Sequence, residues 1–295
     1  MSAEEEGLLL REFLQHSLNL SRTAIKKIKF AGGELCVDGR PVTVRQVLKE
    51  KDEVKVVFPP EENGDGIVAT ETPLDLLFED ESMLVLNKPA GVPTVPSPQN
   101  REETLANGVL YYLQQKNYAY TAHPVTRLDS ETSGLVLFAK HSVAHDWFSR
   151  MQKSGAIHRE YLAMVEGSLL VDQGTIAEPI GRKLGSIIER CVTPEGKHAV
   201  THFTKIADFE DYSIVGIKLE TGRTHQIRVH FAHIGHPLLG DDLYGGSTQH
   251  IQRQALHSHK LYFNHPVTNQ AMAFTAPLPD EMQKILDRNS FQIDF

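Results

Sequence analysis

The sequence predicts an α+β protein with a small N-terminal unit and a larger second unit. Strand-like runs and helical patterns do not alternate strictly along its 295 residues, which argues against a doubly wound fold. A proline pair and a glycine-containing acidic stretch, residues 59–73, separate the units as a linker whose acids have little to bury. Hydrophobic residues make up 40% of the chain and charged residues 23%, as is usual for a globular protein.

The N-terminal unit covers residues 1–58. Leucine and phenylalanine recur at helical spacing over residues 8–18 and predict a short amphipathic helix. A second helix is expected to begin at Ser21, a good N-cap, and to end at the glycine pair 32–33. Short strands joined by a turn at Asp38 complete this unit.

Three basic residues of the second helix, Arg22, Lys26 and Lys29, fall at i, i+4 and i+7 and therefore share one face. Such a stripe is often only a solvated helix face. It is also the arrangement that contact with nucleic-acid phosphates requires. Spacing alone leaves both interpretations open.

The second unit covers residues 74–295 and mixes β-rich runs with helical patterns. A helix is predicted over residues 142–152, and a final packing helix over residues 280–288. Five runs predict strands: residues 83–86, 135–138, 161–165, 212–219 and 271–274.

The net charge of −8 argues at first sight against a polyanionic partner. Residues 59–87, however, hold eight acids and no lysine or arginine, so the neutral remainder can carry a basic patch. No apolar run approaches the roughly 20 residues that span a bilayer, and the acidic start does not fit a secretory signal. Two distant cysteines, Cys36 and Cys191, fit reduced thiols, so we expect a cytoplasmic protein with no membrane partner.

The most informative segment is a polar loop that runs directly into a predicted strand. Asp129 lies there between Arg127 and a Thr-Ser-Gly turn at residues 132–134. An arginine and loop N–H groups can hold such a carboxylate ionised, which suits a nucleophile. From the residues alone, however, an aspartate at this place more often simply caps the turn.

Residues 8–42 resemble the small RNA-binding module first defined in a ribosomal protein of the small subunit (an S-four-like domain). The shared pattern is a leucine helix, Ser-Arg opening a second helix, a glycine and a hairpin carrying V-x-G-x-x-V. The resemblance implies that the second helix and the loop after it lie against RNA phosphates. Asp38 departs from the pattern, because that family usually has asparagine in the turn, and both residues tolerate the turn conformation.

The second unit resembles the RluA family of RNA pseudouridine synthases over nearly its whole length. The central match is R-L-D-x-x-T-S-G, which here covers residues 127–134. The other matches are the N-K-P-A-G loop at 87–91, the K-x-Y-like strand at 159–167, G-K-x-A-x-T at 196–201, and the segment 219–241. The resemblance implies a mixed, mostly antiparallel β-sheet flanked by helices, and an isomerase that flips a uridine of ribosomal or transfer RNA into a pocket.

The resemblance also implies roles for individual residues. Asp129 is expected to be the nucleophile, Tyr161 to stack on the flipped base, and Arg228 to form an ion pair with Asp129. Without the resemblance, Tyr161 also fits a strand core, and a surface position is the better expectation for Arg228. Five further substrate contacts are expected: Arg127 entering the RNA stack, Ile227 lining the pocket, and Lys88, Lys197 and Arg223 on phosphates.

Two positions of the second unit depart from the family pattern. Thr126 stands where the family commonly has histidine before the arginine of the aspartate motif, and Arg159 replaces the lysine of K-x-Y. Both lie beside the expected catalytic residues, so they put substrate preference in doubt more than activity.

Two other functions compete with this interpretation. Clustered histidines at positions 225, 230, 233 and 236 suggest a metal hydrolase, but on a helix they point in several directions and no H-E-x-x-H accompanies them. A catalytically silent RNA-binding protein is the second alternative, which the joint presence of Asp129, Tyr161 and Arg228 disfavours. We therefore expect no cofactor, no metal, structured RNA as the partner, and a monomer by default.

Overall fold

The computed structural model describes residues 5–61 and 66–293. Glu62 and Asp65 of the predicted acidic linker lie outside the described residues. The helices of the described part are α1 (Leu10–His16), α2 (Arg22–Phe30), α3 (Leu105–Gln115), α4 (Ser142–Lys153), α5 (Gln226–His233) and α6 (Asp280–Arg288). Within these residues, no helix combines the length and the apolar character needed to cross a membrane.

The strands fall into an N-terminal group and a larger group. The first comprises β1 (Glu34–Val37), β2 (Arg40–Pro41) and β3 (Val54–Val57). The second comprises β4 (Leu76–Glu79), β5 (Met83–Lys88), β6 (His123–Pro124), β7 (Ser133–Ala139), β8 (His158–Glu166), β9 (Gln173–Ile176), β10 (Ile180–Arg182), β11 (Arg190–Val192), β12 (Thr201–Asp208), β13 (Tyr212–Leu219), β14 (Leu256–Asn264) and β15 (Ala271–Thr275).

The N-terminal helices and hairpin follow from local sequence. The hydroxyl of Ser21 accepts a hydrogen bond from the N–H of Ala24 (3.1 Å) and so caps α2. Ile25 and Ile28 form the buried face of this helix. Asp38 (φ 48°) and the glycine after it turn the chain from β1 into β2 with positive φ angles, as a tight hairpin requires.

The main sheet is mixed and mostly antiparallel, as expected. Its strands follow the order β4-β5-β7-β14-β8-β13-β12-β9, with β15 paired to β14 and β6 to β7. Only β7 and β14 run parallel among the paired strands of the described residues. They approach most closely at Gly134, where a Cβ atom would lie 2.2 Å from the carbonyl oxygen of Ser258. Glycine is therefore required at the last position of the R-L-D-x-x-T-S-G pattern.

One of the apolar clusters contains residues of both units, and the second unit has four further clusters of its own. Buried residues from both form a single cluster, which includes Leu10, Leu14, Ile28 and Leu48 of the N-terminal unit and Met83, Val85, Leu137, Trp147 and Phe148 of the second unit. A direct hydrogen bond adds to this contact, because Nη2 of Arg150 on α4 donates to the carbonyl of Asn19 (2.7 Å). The N-terminal unit is thus packed against the second unit, with direct contacts to α4.

The last residue before the predicted linker, Phe58, and the linker residue Glu61 both pack against the second unit. Phe58 stacks on His141 with ring centroids 4.4 Å apart. Glu61 accepts a hydrogen bond from the N–H of Ser142 (2.6 Å) and pairs with His123 (2.7 Å). Burial acts to raise the pKa of Glu61, but the bonds from His123 and Ser142 outweigh it and lower the pKa to about 2. The prediction that these acids have little to bury was therefore wrong for Glu61.

Candidate functional site

Asp129 lies in the loop between β6 and β7, and its side chain is 28% exposed. The loop is fixed from below by Thr94, whose hydroxyl donates to the carbonyl of Leu128 (2.8 Å) and accepts from the N–H of the same residue (3.1 Å). On the far side of Asp129, the N–H of Thr132 donates back to the Asp129 carbonyl (3.1 Å). The carboxylate therefore projects from a backbone held on both sides.

Lys88 anchors the same loop from the interior. Its side chain is completely buried, and its Nζ donates to the carbonyls of Pro89 (2.7 Å), Val92 (2.7 Å) and Ser130 (2.8 Å). Three acceptors match the three N–H donors of an ammonium group. Burial lowers the pKa of Lys88 to about 7, against the opposing charges of Glu131 and Asp129.

The expected phosphate contact at Lys88 is therefore wrong. A phosphate cannot reach a side chain with no exposed surface whose donors all bind carbonyls. The N-K-P-A-G loop instead uses its lysine to join the Lys88–Val92 turn to the Asp129 loop.

Two consecutive polar residues hold the end of the loop. Nη1 of Arg253 donates to the carbonyl of Glu131 (2.9 Å), and Nε2 of Gln254 donates to the hydroxyl of Thr132 (3.3 Å). Glu281 on α6 balances the charge of Arg253 at 2.6 Å. Polar groups from three separate segments of the chain thus hold the loop, and this support restricts the orientation of the Asp129 carboxylate.

Arg228 on α5 reaches Asp129, as the resemblance implies, with 3.3 Å between Nη1 and Oδ2. Its shorter contacts are with Asp241, whose two carboxylate oxygens accept from Nε and Nη2 at 2.7 Å each. Burial acts to lower the pKa of Arg228, but the hydrogen bonds and charge of Asp241, with a smaller contribution from Asp129, raise it. Asp241 therefore holds the guanidinium, which leaves one N–H edge turned to Asp129.

His225 and Tyr244 complete the surroundings of Asp129. Nε2 of His225 is 3.8 Å from Oδ2 of Asp129, and its Nδ1 lies 2.8 Å from the hydroxyl of Tyr244. The ring of Tyr244 faces Arg228, whose Cζ lies 5.0 Å from the ring centroid. Burial is the main cause that lowers the pKa of His225, which favours the neutral imidazole.

Sequence reasoning missed Asp241, His225 and Tyr244 as site residues. His225 and Asp241 lie inside the matched segment 219–241, so the signal was present at the level of the motif. Their contacts with Arg228 and Asp129 depend on how α5 and the following turn fold back on each other. His225 takes a left-handed conformation (φ 56°) just before α5, which helps to aim its ring at the carboxylate.

A cleft of about 760 Å³ opens above Asp129. Tyr161 on β8 lies in its wall and is 5% exposed. Ile227, which is also buried, lines a smaller adjoining cavity of about 60 Å³ together with Asp129, Tyr161 and Arg228. With Arg127 and Arg223, which line both cavities, the structure brings together six of the predicted site residues around one concave surface, where a flat ring can be enclosed.

Cationic side chains surround the cleft. Arg127 and Arg223, the expected contacts to the RNA stack and to phosphate, are exposed in its lining, and Lys153 and Arg159 lie in the same lining. Nε of Arg223 donates to the carbonyl of His198 (2.9 Å). Lys197 is exposed between β11 and β12, and the described residues that line this cleft do not include it.

The predicted basic stripe of α2 lies on a separate groove. Arg22, Lys26 and Lys29 are exposed and line a groove of about 670 Å³ between α1 and α2, which we call the α2 groove. Its remaining lining residues are Arg11, Glu12, Gln15, His16, Ile25, Phe30 and Val44. The N-terminal residues named by the sequence therefore cluster, but away from Asp129.

The histidines that cluster in the sequence between positions 225 and 236 do not converge in the structure. Nδ1 of His230 lies 2.8 Å from the hydroxyl of Thr201, and its Nε2 lies 2.9 Å from the carbonyl of Glu178. Its two nitrogens therefore connect α5 to β12 and to the segment between β9 and β10. His233 is exposed at the end of the same helix. In the ranges 5–61 and 66–293, no three histidine, cysteine or acidic side chains converge in a way that could hold a metal ion.

Comparison with solved structures shows the fold. The chain matches human RNA pseudouridylate synthase domain containing 4 with a TM-score of 0.60 at 18% identity, over 74% of this chain and 94% of that one. It matches human RNA pseudouridylate synthase domain containing 1 with a TM-score of 0.57 at 22% identity, over 79% and 99% of the two chains.

Sequence comparison shows the family. A family model described as RNA pseudouridylate synthase matches residues 82–233. The "Uncharacterized RNA pseudouridine synthase YjbO" of Bacillus subtilis (strain 168) is 48% identical over 269 residues, which cover 91% of this chain and 95% of the relative. Ribosomal large subunit pseudouridine synthase D of Vibrio vulnificus (strain CMCP6) is 35% identical over 283 residues, with coverages of 91% and 86%. The chain therefore belongs to the RNA pseudouridine synthase family and is an isomerase.

Proposed function

We propose that this protein converts specific uridines of structured RNA to pseudouridine at the Asp129 cleft, with Asp129 as the nucleophile. One observation carries the proposal: the Asp129 carboxylate lies beneath the cleft, 3.3 Å from an arginine that Asp241 holds, and beside the buried Tyr161. A carboxylate and an enclosed apolar wall are the two features that this isomerisation needs.

The chemistry explains that need. The bond between the ribose and N1 of uracil must break, the base must turn, and a new bond must form through carbon 5. A uridine stacked in a helix is inaccessible, so it has to be flipped out into a pocket. Asp129 then attacks or deprotonates the ribose side, while the pocket retains the freed base and excludes water.

The neighbouring residues take complementary roles in this proposal. Arg228 orients the Asp129 carboxylate and keeps it ionised, and Asp241 prevents the guanidinium from turning away. Tyr161 stacks on the base and Ile227 closes the pocket beside it. Arg127, exposed at the cleft, fills the gap that the flipped base leaves in the RNA stack.

Ribosomal RNA of the large subunit is the substrate that we propose to test first, with transfer RNA second. The support is that several relatives at 34–36% identity carry the name ribosomal large subunit pseudouridine synthase D. We also propose that the N-terminal unit is an S-four-like RNA-binding domain that uses Arg22, Lys26 and Lys29 on phosphates, because all three are exposed on one groove.

The test is release of tritium from unmodified RNA labelled at carbon 5 of uracil. Asp129→Ala and Asp129→Asn should each lower the rate by at least about a thousandfold, because the nucleophile is lost. RNA affinity should stay near that of the wild type, because phosphate contacts supply most of it. Asp172→Ala is a matched control, since that side chain is 90% exposed, and it should leave the rate unchanged.

Two outcomes would contradict the proposal. Undiminished release by Asp129→Asn would show that another group attacks the ribose. No release by the wild type from ribosomal or transfer RNA, with RNA binding intact, would favour a silent RNA-binding protein.

A further inference from the structure

We infer that the α2 groove binds an unpaired nucleotide of the RNA by stacking it on Phe30, beyond the phosphate contacts proposed above. The inference rests on the proposed RNA-binding function of the N-terminal unit. It adds a ligand class, single-stranded RNA, and a residue that reads it.

The first observation is the exposure of Phe30. This ring is 73% exposed at the last position of α2, although Ile25 and Ile28 of the same helix are 8% and 0% exposed. The core therefore does not use Phe30. Because Phe30 lines the α2 groove, its exposed ring is open to a ligand that enters the groove.

The second observation is the charge around that ring. Nζ of Lys29 lies 4.8 Å from the centroid of the Phe30 ring. Four lysine and arginine side chains line the α2 groove: Arg11, Arg22, Lys26 and Lys29. The groove is thus strongly basic in a chain whose net charge is −8.

The third observation is that the groove's acid is already engaged. Glu12 is the acidic residue among the lining residues, and its Oε2 accepts a hydrogen bond from the N–H of Leu9 (3.0 Å) at the start of α1. Its Oε1 lies 3.9 Å from Nη2 of Arg11. Glu12 is held at the start of α1 and offsets one of the four basic charges, so the lining keeps a net positive charge for an anion.

A basic groove with an exposed aromatic ring is the arrangement that binds single strands. The cations follow the backbone phosphates, and a base stacks on the ring whatever its sequence. A double-stranded segment offers phosphates to the same cations, but its bases are already stacked inside the helix. The Phe30 ring therefore contributes to binding of unpaired RNA and not of a duplex.

The shared core gives this capture a consequence for target choice. Leu14 and Ile28 belong to one buried cluster with Val85 and Leu137, so the N-terminal unit packs against the part of the chain that carries the Asp129 loop. This packing restricts the distance between a nucleotide held at Phe30 and the catalytic carboxylate. The groove would favour uridines that have an unpaired neighbour at that distance.

The test uses the full-length protein and fluorescence anisotropy. The probes are a single-stranded RNA of about ten nucleotides and the same strand annealed to its complement, each measured over a range of salt concentrations. Phe30→Leu should weaken binding of the single strand by about fivefold or more, with an unchanged salt slope and unchanged duplex affinity. Phe30→Trp should restore it, because tryptophan also offers a stacking face.

Lys26→Ala serves as the comparison, because it removes charge from the same groove but leaves the ring. It should reduce the salt slope for the single strand by about 0.7, the share of one phosphate contact. If Phe30→Leu binds the single strand as the wild type does, or weakens the duplex equally, the stacking inference is wrong. If Lys26→Ala also changes neither affinity nor slope, the proposed RNA-binding role of the unit fails, while tritium release still tests the Asp129 cleft independently.

Discussion

The Asp129 loop and the α2 groove both present charged side chains to RNA in our proposals, but the protein holds them in opposite ways. Around Asp129, Lys88 and Arg228 are buried, and their donors bind defined carbonyls and carboxylates. In the α2 groove, Lys26 and Lys29 are exposed on a helix surface.

The difference follows from what each region has to do. A carboxylate that reacts must be oriented before the substrate arrives, and only buried, directional contacts achieve this. Phosphates can be attracted over several ångströms by charges that remain solvated and mobile. Lysine therefore has two roles: Lys88 is a buried donor that joins two loops, whereas Lys26 is a solvated surface charge.

The largest effect is expected from the same substitution made in both regions. Lys88→Met leaves three buried carbonyls without a donor, which should lower the free energy of unfolding by about 3 to 5 kcal/mol. Lys26→Met changes an exposed side chain, so its effect should stay within about 0.5 kcal/mol. Urea unfolding of both variants measures the contrast, and equal losses would mean that the burial of Lys88 has no energetic consequence.

A second pair sharpens the catalytic side of the comparison. Asp241→Asn removes the carboxylate that holds Arg228, so we expect turnover to fall by about a hundredfold, or ~2.7 kcal/mol in activation free energy. Asp242→Asn alters the exposed neighbour and should leave turnover unchanged. The rate of tritium release at saturating RNA checks both variants. A rise in KM with an unchanged turnover rate would instead assign Asp241 to RNA binding.

The smallest effect concerns the contact between the N-terminal unit and the second unit. His141 stacks on Phe58, is 2% exposed, and burial lowers its pKa to about 4 from an ordinary value of 6.5. Because the folded pKa is depressed, the neutral ring contributes stability fully above pH 6.5 and loses it as the pH falls toward 4. At about pH 5.5 the expected loss is about 1.4 kcal/mol.

His141→Asn should remove that part of the acid sensitivity, because asparagine can still cap α4 but does not titrate. Unfolding by urea at neutral and acidic pH, for this variant and for the exposed control His233→Asn, measures the difference. Wild-type acid sensitivity in His141→Asn would rule out the buried ring as its source.

The sequence predicted some elements to within a few residues. The final helix was placed at residues 280–288 and is α6, and the helix expected at 142–152 is α4 with one more residue. Ser21 caps α2 as expected. These features could be predicted because helix periodicity and capping depend on near neighbours in the chain.

The packing of the N-terminal unit against the second unit could not be predicted from the sequence. The proline pair and the acidic stretch predicted a linker between two units, but Leu10 and Leu14 belong to a cluster that also contains Val85 and Leu137. Deletion of the N-terminal unit would expose that cluster, which is why the tests above use single substitutions. Apolar periodicity shows which face is buried and says nothing of what covers it.

The sequence by itself predicted the family, the α+β class and the position of the aspartate that we propose as the nucleophile, because these depend on contiguous motifs. Only the tertiary structure decided that Lys88 is buried, that Asp241 holds Arg228, and that the α2 groove carries an exposed aromatic ring. The physical reason is that burial and hydrogen-bond partners arise between segments far apart in the chain, 42 residues between Lys88 and Ser130 being one case. A side chain's chemistry is local, whereas its solvation, and with it its role, is set by the whole fold.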